Sequence, residues 1–349
     1  MKTMYKIVAS VAFMAALGFT SCTEDSPVTN PPVDNTPVVV DHTGFAKGAD
    51  VSWLTQLEAE GNLFYTTDRK QMECMQLLRD ECGVNAIRLR VWVNPAEGWS
   101  NVDDVLIKAR RANSLGLRLM IDFHFSDTWA DPANQDIPAA WANLDLAGAE
   151  DAMTAHINDM LGKLKAYNIE PEWVQIGNET RGGMMWPLGA IDNGSNFATL
   201  VSTGYDAVKA IFPDAKVVVH CDQGQTLWLY TRLFGNLQTN NAKYDMIGMS
   251  LYPDPSNWET TVNACIANIN TVSETYGKPV VICEVGMAYD EVDASEKMMQ
   301  KLMDDCQTTG HVDGIFYWEP EAPGGYNGGY NKGCFIDGAP TAALNCFKN

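Results

Sequence analysis

Eight short apolar or β-branched runs punctuate this chain, beginning near Ala46, Asn85, Leu117, Trp173, Lys216, Met246, Pro279 and Gly314. Between them lie segments long enough for a helix and two loops. The alternation predicts eight strand-helix units, an α/β architecture closing as a single (β/α)8 TIM barrel. The interposed segments carry a helical period where it can be tested. Across residues 101–116, Val102, Val105, Leu106 and Ala109 recur at three- and four-residue steps, with Asn101 placed to cap the start and Gly116 to end the last turn. Met298, Met299, Leu302, Met303 and Cys306 repeat the pattern ahead of Gly310. That stripe is expected to pack on the barrel rather than to serve a cofactor.

The N-terminal stretch does not share this alternation. Lys2 and Lys6, followed by the apolar run from Ile7 to Phe19, predict an export signal over residues 1–21, with an apolar core too short to span a bilayer. Cys22, followed by Thr23-Glu-Asp-Ser26, resembles the bacterial lipoprotein site at which an acylated cysteine becomes the mature N-terminus. Residues 22–42, rich in proline, threonine and asparagine, read as an extended tether. Residues 43–349 are left for one barrel of ordinary size. The expectation is an exported monomer, lipid-anchored at the outer membrane and displayed at the cell surface. A soluble secreted or periplasmic form is the alternative.

Composition narrows the partners. A formal charge of -20 argues against nucleic acid or another polyanion and favours a neutral ligand. Of the 10 tryptophans, Trp92, Trp129, Trp186 and Trp318 fall at predicted strand ends or in the loops after them. A sugar-binding cleft needs aromatic faces there, because the C–H face of a pyranose packs on a ring. Trp53, Trp99, Trp141 and Trp173 are expected to fill gaps between barrel and helices. The cysteines beyond Cys22 are expected to be buried free thiols, with Cys334 and Cys346 the pair to test for a bridge. No Cys/His spacing suggests zinc.

The chemistry concentrates at strand ends. Glu179 closes Trp173-Val-Gln-Ile-Gly-Asn-Glu179 on strand four, and Glu284 closes Val280-Val-Ile-Cys-Glu284 on strand seven. A carboxylate at the tip of a buried strand serves chemistry better than stability, and tips four and seven face each other across an eight-stranded barrel. Such a pair suits a retaining glycosidase, Glu179 as acid and Glu284 as nucleophile, with Asn178 beside the acid to hold a sugar hydroxyl. On strand two, Ile87, Leu89, Val91 and Val93 form the face toward the helices, which turns Arg88, Arg90 and Trp92 inward. One arginine near Glu284 would keep the nucleophile ionised while Glu179 stays protonated, and an ion pair with Asp50 of strand one is the structural alternative. His124 alternates with Asp122 on the inward face of strand three, Tyr252 is placed to hydrogen-bond the nucleophile, and Trp318 to form a floor under the reacting sugar.

Together these stretches resemble glycoside hydrolase family 53, the endo-β-1,4-galactanases. The resemblance is carried by Lys47-Gly-Ala-Asp-Val-Ser-Trp53, Arg88-Leu-Arg-Val-Trp-Val-Asn-Pro95, Asp122-Phe-His-Phe-Ser-Asp-Thr-Trp-Ala-Asp-Pro132, Gln135-Asp-Ile-Pro138, Ile176-Gly-Asn-Glu-Thr-Arg-Gly-Gly183 and Phe316-Tyr-Trp-Glu-Pro320. It implies Glu179 as acid/base, Glu284 as nucleophile, and a substrate-binding set of Asp50, Arg88, Arg90, Trp92, His124, Asp127, Trp129, Asn178, Tyr252 and Trp318. The implied substrate is linear β-1,4-galactan of pectic side chains. Another retaining glycanase of the same clan, acting on mannan, xylan or glucan, is the near alternative, and a non-catalytic glycan-binding lipoprotein the distant one. Some relatives hold calcium after strand seven. Here Asp290-Glu-Val-Asp293 lacks the spread of oxygens that calcium needs, so no cofactor is expected. Three departures, at Val285-Gly-Met, Asp254-Pro255 and Glu321, leave chain-length preference uninherited.

Overall fold

The computed structural model describes residues 39–348; the expected export signal, Cys22 and the tether as far as residue 38 lie outside the described residues. Eight parallel strands close the barrel: β1 (Ala46–Asp50), β2 (Ala86–Val91), β3 (Arg118–Phe123), β4 (Trp173–Ile176), β5 (Lys216–Cys221), β6 (Met246–Leu251), β7 (Val280–Val285) and β8 (Val312–Trp318). Each strand pairs with its sequence neighbours, and β8 pairs with β1 to complete the ring. Helices α1 (Leu54–Ala59) and α2 (Cys74–Cys82) follow β1, and α3 (Val102–Ser114), α4 (Leu146–Ala166), α5 (Asn196–Ile211), α6 (Leu227–Thr239), α7 (Trp258–Tyr276) and α8 (Val292–Thr309) follow β2 to β7. A 3₁₀ segment, Ala342–Lys348, takes the last helix position after β8.

The predicted helix signals operate as expected. Asn101 caps α3 by accepting from the Asp104 amide at 2.9 Å, and the stripe Met298, Met299, Leu302, Met303 and Cys306 of α8 is buried. The barrel interior is packed by Ala46, Ala86, Met120, Trp173, Val218, Met246, Val281, Cys283 and Phe316. Trp173 therefore lies inside the barrel rather than outside it, edge-on to Phe316 at 5.7 Å. The small residue that makes room is Gly48 of β1, where a methyl group would meet the Phe316 ring at 2.1 Å. This apolar plug fills the middle of the barrel; Arg118 pairs with Glu172 beneath it at the amino ends of the strands, and the polar cluster of the site lies above it at the carboxyl ends.

All eight described cysteines are buried free thiols, so the bridge considered between Cys334 and Cys346 is not formed. His42, at the end of the expected tether, already contacts the barrel through Glu172 at 2.8 Å. Among the described residues no helix is long and apolar enough to cross a membrane.

Candidate active site

Arg88 stands at the centre of the barrel mouth. Its guanidinium reaches Asp50 of β1 at 2.7 Å, Asp122 of β3 at 2.8 Å, Gln175 of β4 at 3.0 Å, Asn178 at 3.0 Å and Glu284 of β7 at 3.0 Å. Both readings of this arginine therefore hold at once: it pairs with Asp50 and also with Glu284. Burial alone would drive the guanidinium toward releasing its proton, but Asp122, Glu284 and Asp50 outweigh it and hold the charge firmly. Asp122 is likewise buried at a cost that Arg88 more than offsets, so its carboxylate lies below the usual range.

The two glutamates are differently housed. Glu284 keeps Arg88 on one oxygen and the Tyr252 hydroxyl, donating at 2.7 Å, on the other. Burial raises its carboxyl above the ordinary value, while Arg88 and then Tyr252 pull it back. Glu284 is thus not depressed as the sequence predicts, because the same closed site that brings Arg88 near excludes water. Among the described residues no cation stands against the Glu179 carboxyl; burial first, then the charge of Glu284, push it well above the usual range. The expected divergence survives in order: Glu284 loses its proton first. The strand-four tip is held in an uncommon backbone form. Gly177 has φ +80 and Glu179 itself φ +46, a left-handed conformation that costs a non-glycine residue about 1 to 3 kcal/mol and aims the carboxyl across the cleft.

Aromatic rings surround the pair. Trp318 packs against Tyr330 at 4.8 Å, Trp53 at 5.2 Å and Trp129 at 6.0 Å. These four rings line a cavity of about 680 Å³ together with Asp50, Arg88, Arg90, His124, Asn178, Glu179, Tyr252 and Glu284. Trp53 belongs to this lining, not to the space between barrel and helices. Trp92 and Asp127 are not part of it. Trp92 sits behind Trp129 and donates its indole N–H to His124 Nδ1 at 3.2 Å, which makes Nε2 the donor to Asp122 at 3.0 Å. Asp127 accepts from the Asn94 and Ala139 amides at 3.0 Å and 2.9 Å and braces the loop after β3. Arg90 lies in the floor, paired with Glu319 at 2.7 Å and facing the Trp129 ring at 4.4 Å. Asp290, Glu291 and Asp293 are exposed at the start of α8, and among the described residues no three His, Cys, Asp or Glu side chains are grouped to hold a metal.

Sequence reasoning missed several members. His220, Ser250, Gln175, Asp222, Arg181, Lys332 and Tyr330 all contribute to the site or its support. Inward alternation along β5 and β6 could have flagged His220 and Ser250; Tyr330 and Lys332 lie in the irregular loop after β8, where no period exists.

A family model described as glycosyl hydrolase family 53 matches residues 46–341. The chain belongs to glycosyl hydrolase family 53. It is a glycoside hydrolase, and its relatives agree. It is 31% identical over 298 residues to the probable arabinogalactan endo-beta-1,4-galactanase A of Aspergillus terreus, covering 78% of this chain and 85% of that one. It is 30% identical over 307 residues to the endo-beta-1,4-galactanase of Bacillus subtilis, covering 79% and 70%. A solved fungal beta-1,4-galactanase superposes with a TM-score of 0.79 at 28% identity, over 87% of this chain and 99% of that structure.

Two substitutions test how this family 53 site is held. Arg88→Lys keeps a charge but offers one nitrogen where five partners need a planar fork, so it should lower stability by on the order of 3 kcal/mol as well as activity. An unchanged melting temperature with lost activity would remove the structural half of that assignment. Glu321, 2% exposed, has no cation partner among the described residues, and burial together with the charge of Glu319 pushes its carboxyl well above the ordinary value. A folded-state pKa above the unfolded one means that stability is complete below the unfolded pKa of about 4.5 and is lost as pH rises toward the folded one. Glu321→Gln should therefore raise the melting temperature at pH 7 and leave it near wild type at pH 4. A gain equal at both pH values would show that Glu321 is not held protonated.

Proposed function

We propose that this enzyme cleaves internal β-1,4-galactosidic bonds of galactan, as in the type I arabinogalactan side chains of pectin, with retention at the anomeric carbon. The observation that carries the mechanism is the unequal housing of the two strand-tip carboxyls over one ring-lined cleft. Glu284, oriented by Arg88 and Tyr252, supplies the oxygen that bonds to the anomeric carbon. Glu179, kept protonated, gives its proton to the departing glycosidic oxygen as that bond breaks. The free carboxylate of Glu179 then takes a proton from water, whose oxygen displaces Glu284 and restores both groups. Asn178, locked by Arg88 and by its own donation to the Ala130 carbonyl at 2.8 Å, presents its edge to the sugar beside the acid. Trp318, Tyr330, Trp53 and Trp129 offer faces for apolar sugar surfaces, and an acidic protein suits an uncharged polymer. The galactose preference rests on the relatives named above. The cleft is complete within one chain, which fits a monomer.

The assignment is tested on potato galactan, mannan, xylan and carboxymethylcellulose, with products followed over time. Galactan alone should be cut, first to mixed oligomers and later to short ones; comparable turnover of xylan or mannan would replace the substrate. Glu284→Ala should lose at least a thousandfold in kcat and regain turnover with azide as an α-configured glycosyl azide. Glu179→Ala should retain activity only on substrates with good leaving groups. The opposite pattern would exchange the two roles.

The place of action follows from polymer size. Galactan does not enter a cell, so an enzyme that cuts internal bonds is useful outside, and acylation of Cys22 would hold it there, with residues 23–42 as spacer. The Glu24-Asp25 pair after the cysteine supports display on the outer leaflet. Protease treatment of intact cells should remove the barrel, and Cys22→Ala should release it from membranes. Protection from protease, or a membrane-bound Cys22→Ala form, would overturn the surface anchor.

A further inference from the structure

Strand β5 brings to the site a histidine that the reaction scheme does not use. His220 is fully buried, its Nε2 2.8 Å from Ser250 Oγ on β6 and its Nδ1 2.9 Å from Asn178 Oδ1. Ser250 Oγ stands in turn 2.6 Å from Glu179 Oε1. Glu179, Ser250, His220 and Asn178 thus form a single file, which begins at the acid and ends at the residue beside it.

The hydrogens in this file can be assigned from its fixed end. Asn178 Nδ2 donates to the Ala130 carbonyl, and Oδ1 accepts from Arg88, so the amide oxygen faces His220. An amide oxygen only accepts, and a bare Nδ1 facing it at 2.9 Å would be repulsive. The proton is therefore on Nδ1. Two donors also approach Nδ1: Gln175 Nε2 at 3.2 Å, which has acceptors in Asp122 and the Gly177 carbonyl, and the Glu179 amide N–H, which points at Nδ1 from 3.4 Å; both contacts are longer than the one to the Asn178 oxygen, which decides the proton's place. His220 carries one proton only, because burial and the charge of Arg88 hold its pKa well below the ordinary value. Nε2 is then an acceptor, and the hydrogen between it and Ser250 is the hydroxyl's own. With that hydrogen committed, Ser250 Oγ shows lone pairs to Glu179 Oε1. Two oxygens at 2.6 Å need a proton between them, and Glu179 must supply it.

We propose that His220 is a positioning residue: with its proton on Nδ1 it turns the Ser250 hydroxyl away from Glu179 and so retains Glu179 as the carboxylic acid until the glycosidic oxygen takes its proton. No proton travels along the file. When Glu179 has released its own, the Ser250 hydroxyl rotates to donate to the new carboxylate and gives up its bond to His220. Losing that bond makes ionisation harder than it would be beside an uncommitted serine. The charged and titratable groups around the file are Arg88, Asp122 and His124 on the His220 side, and Glu284, Asp222 and Arg88 on the Glu179 side. Arg181, at 3.4 Å from Asp222, completes the set.

This inference rests on Glu179 being the acid, and its first test does not depend on activity. The protein has 5 histidines. Long-range 1H–15N spectra of 15N-histidine-labelled enzyme, assigned with Gln variants at His42, His124, His156 and His311, should show the resonance left in place, that of His220, protonated at Nδ1. A proton on Nε2, or on both nitrogens, overturns the proposal while leaving the role of Glu179 untouched. The second test is the alkaline limb of kcat/KM against pH, which reports ionisation of the acid. His220→Ala frees the serine to donate to Glu179, so the limb should move to lower pH by about half to one unit. The shift should vanish when Ser250→Ala is already present. A limb that moves upward or stays fixed, or an equal shift without the serine, overturns the proposal; if His220→Ala fails to fold, the spectra decide alone. Full activity of Glu179→Ala, by contrast, would discard the acid assignment itself.

Discussion

One guanidinium holds the top of this barrel together. Strands β1, β3, β4 and β7 each send a polar side chain or its neighbour to Arg88 above the apolar plug. Removing water from one carboxylate costs several kcal/mol, and three of them surround this arginine. A single positive charge cannot neutralise Asp50, Asp122 and Glu284 together. The remainder is met by neutral donors: Gln175 gives one N–H to Asp122, His124 gives another, Ser52 donates to Asp50, and Tyr252 donates to Glu284. Every first neighbour of Arg88 is thereby fixed by a second, and the nucleophile's position follows from residues on five different strands.

The excess of carboxyls is also what makes an acid available. Glu179 enters a site in which the nearest cation is already shared, so its ionisation would add a charge that nothing compensates. Burial and a neighbouring anion both favour the protonated form there, and the Ser250–His220 file acts on top of them. A second cluster repeats the logic below the aromatic floor. Arg90 pairs with Glu319, the Trp53 amide donates to the same carboxylate, and Glu321 is left without a cation. The first cluster puts its surplus proton where substrate can take it, and the second buries its own.

Much of this was legible in the sequence because barrel geometry has a short period. Alternation along β2 turns Arg88 and Arg90 inward, and the strand beginnings predicted from apolar runs fall within two residues of those observed. Glu179 and Glu284 stood out as charges at the ends of runs that otherwise bury completely. Side chains whose role is set by a loop escaped. Asp127 and Trp92 lie in motif positions and look like ligand contacts, yet one braces backbone amides and the other holds His124. Trp53 was misplaced because a tryptophan just past β1 has no alternation to orient it. Tyr330 reaches the floor only through the irregular turns after β8, and it hydrogen-bonds the Trp318 carbonyl at 2.6 Å.

His220 and Ser250 show a different limit. Their inward positions could be counted from β5 and β6, but their meaning depends on which way Asn178 faces, and that is decided by the carbonyl of Ala130 on another loop. A hydrogen-bond file has a direction only when one end is fixed by a group that cannot reverse. Arg88, which has no acceptor, provides it here: it forces the Asn178 oxygen inward, the oxygen demands a proton from Nδ1, and the demand passes through Ser250 to the acid. The arginine that holds Glu284 with one arm therefore constrains Glu179 through the other, in addition to the burial and the charge of Glu284 that raise the acid.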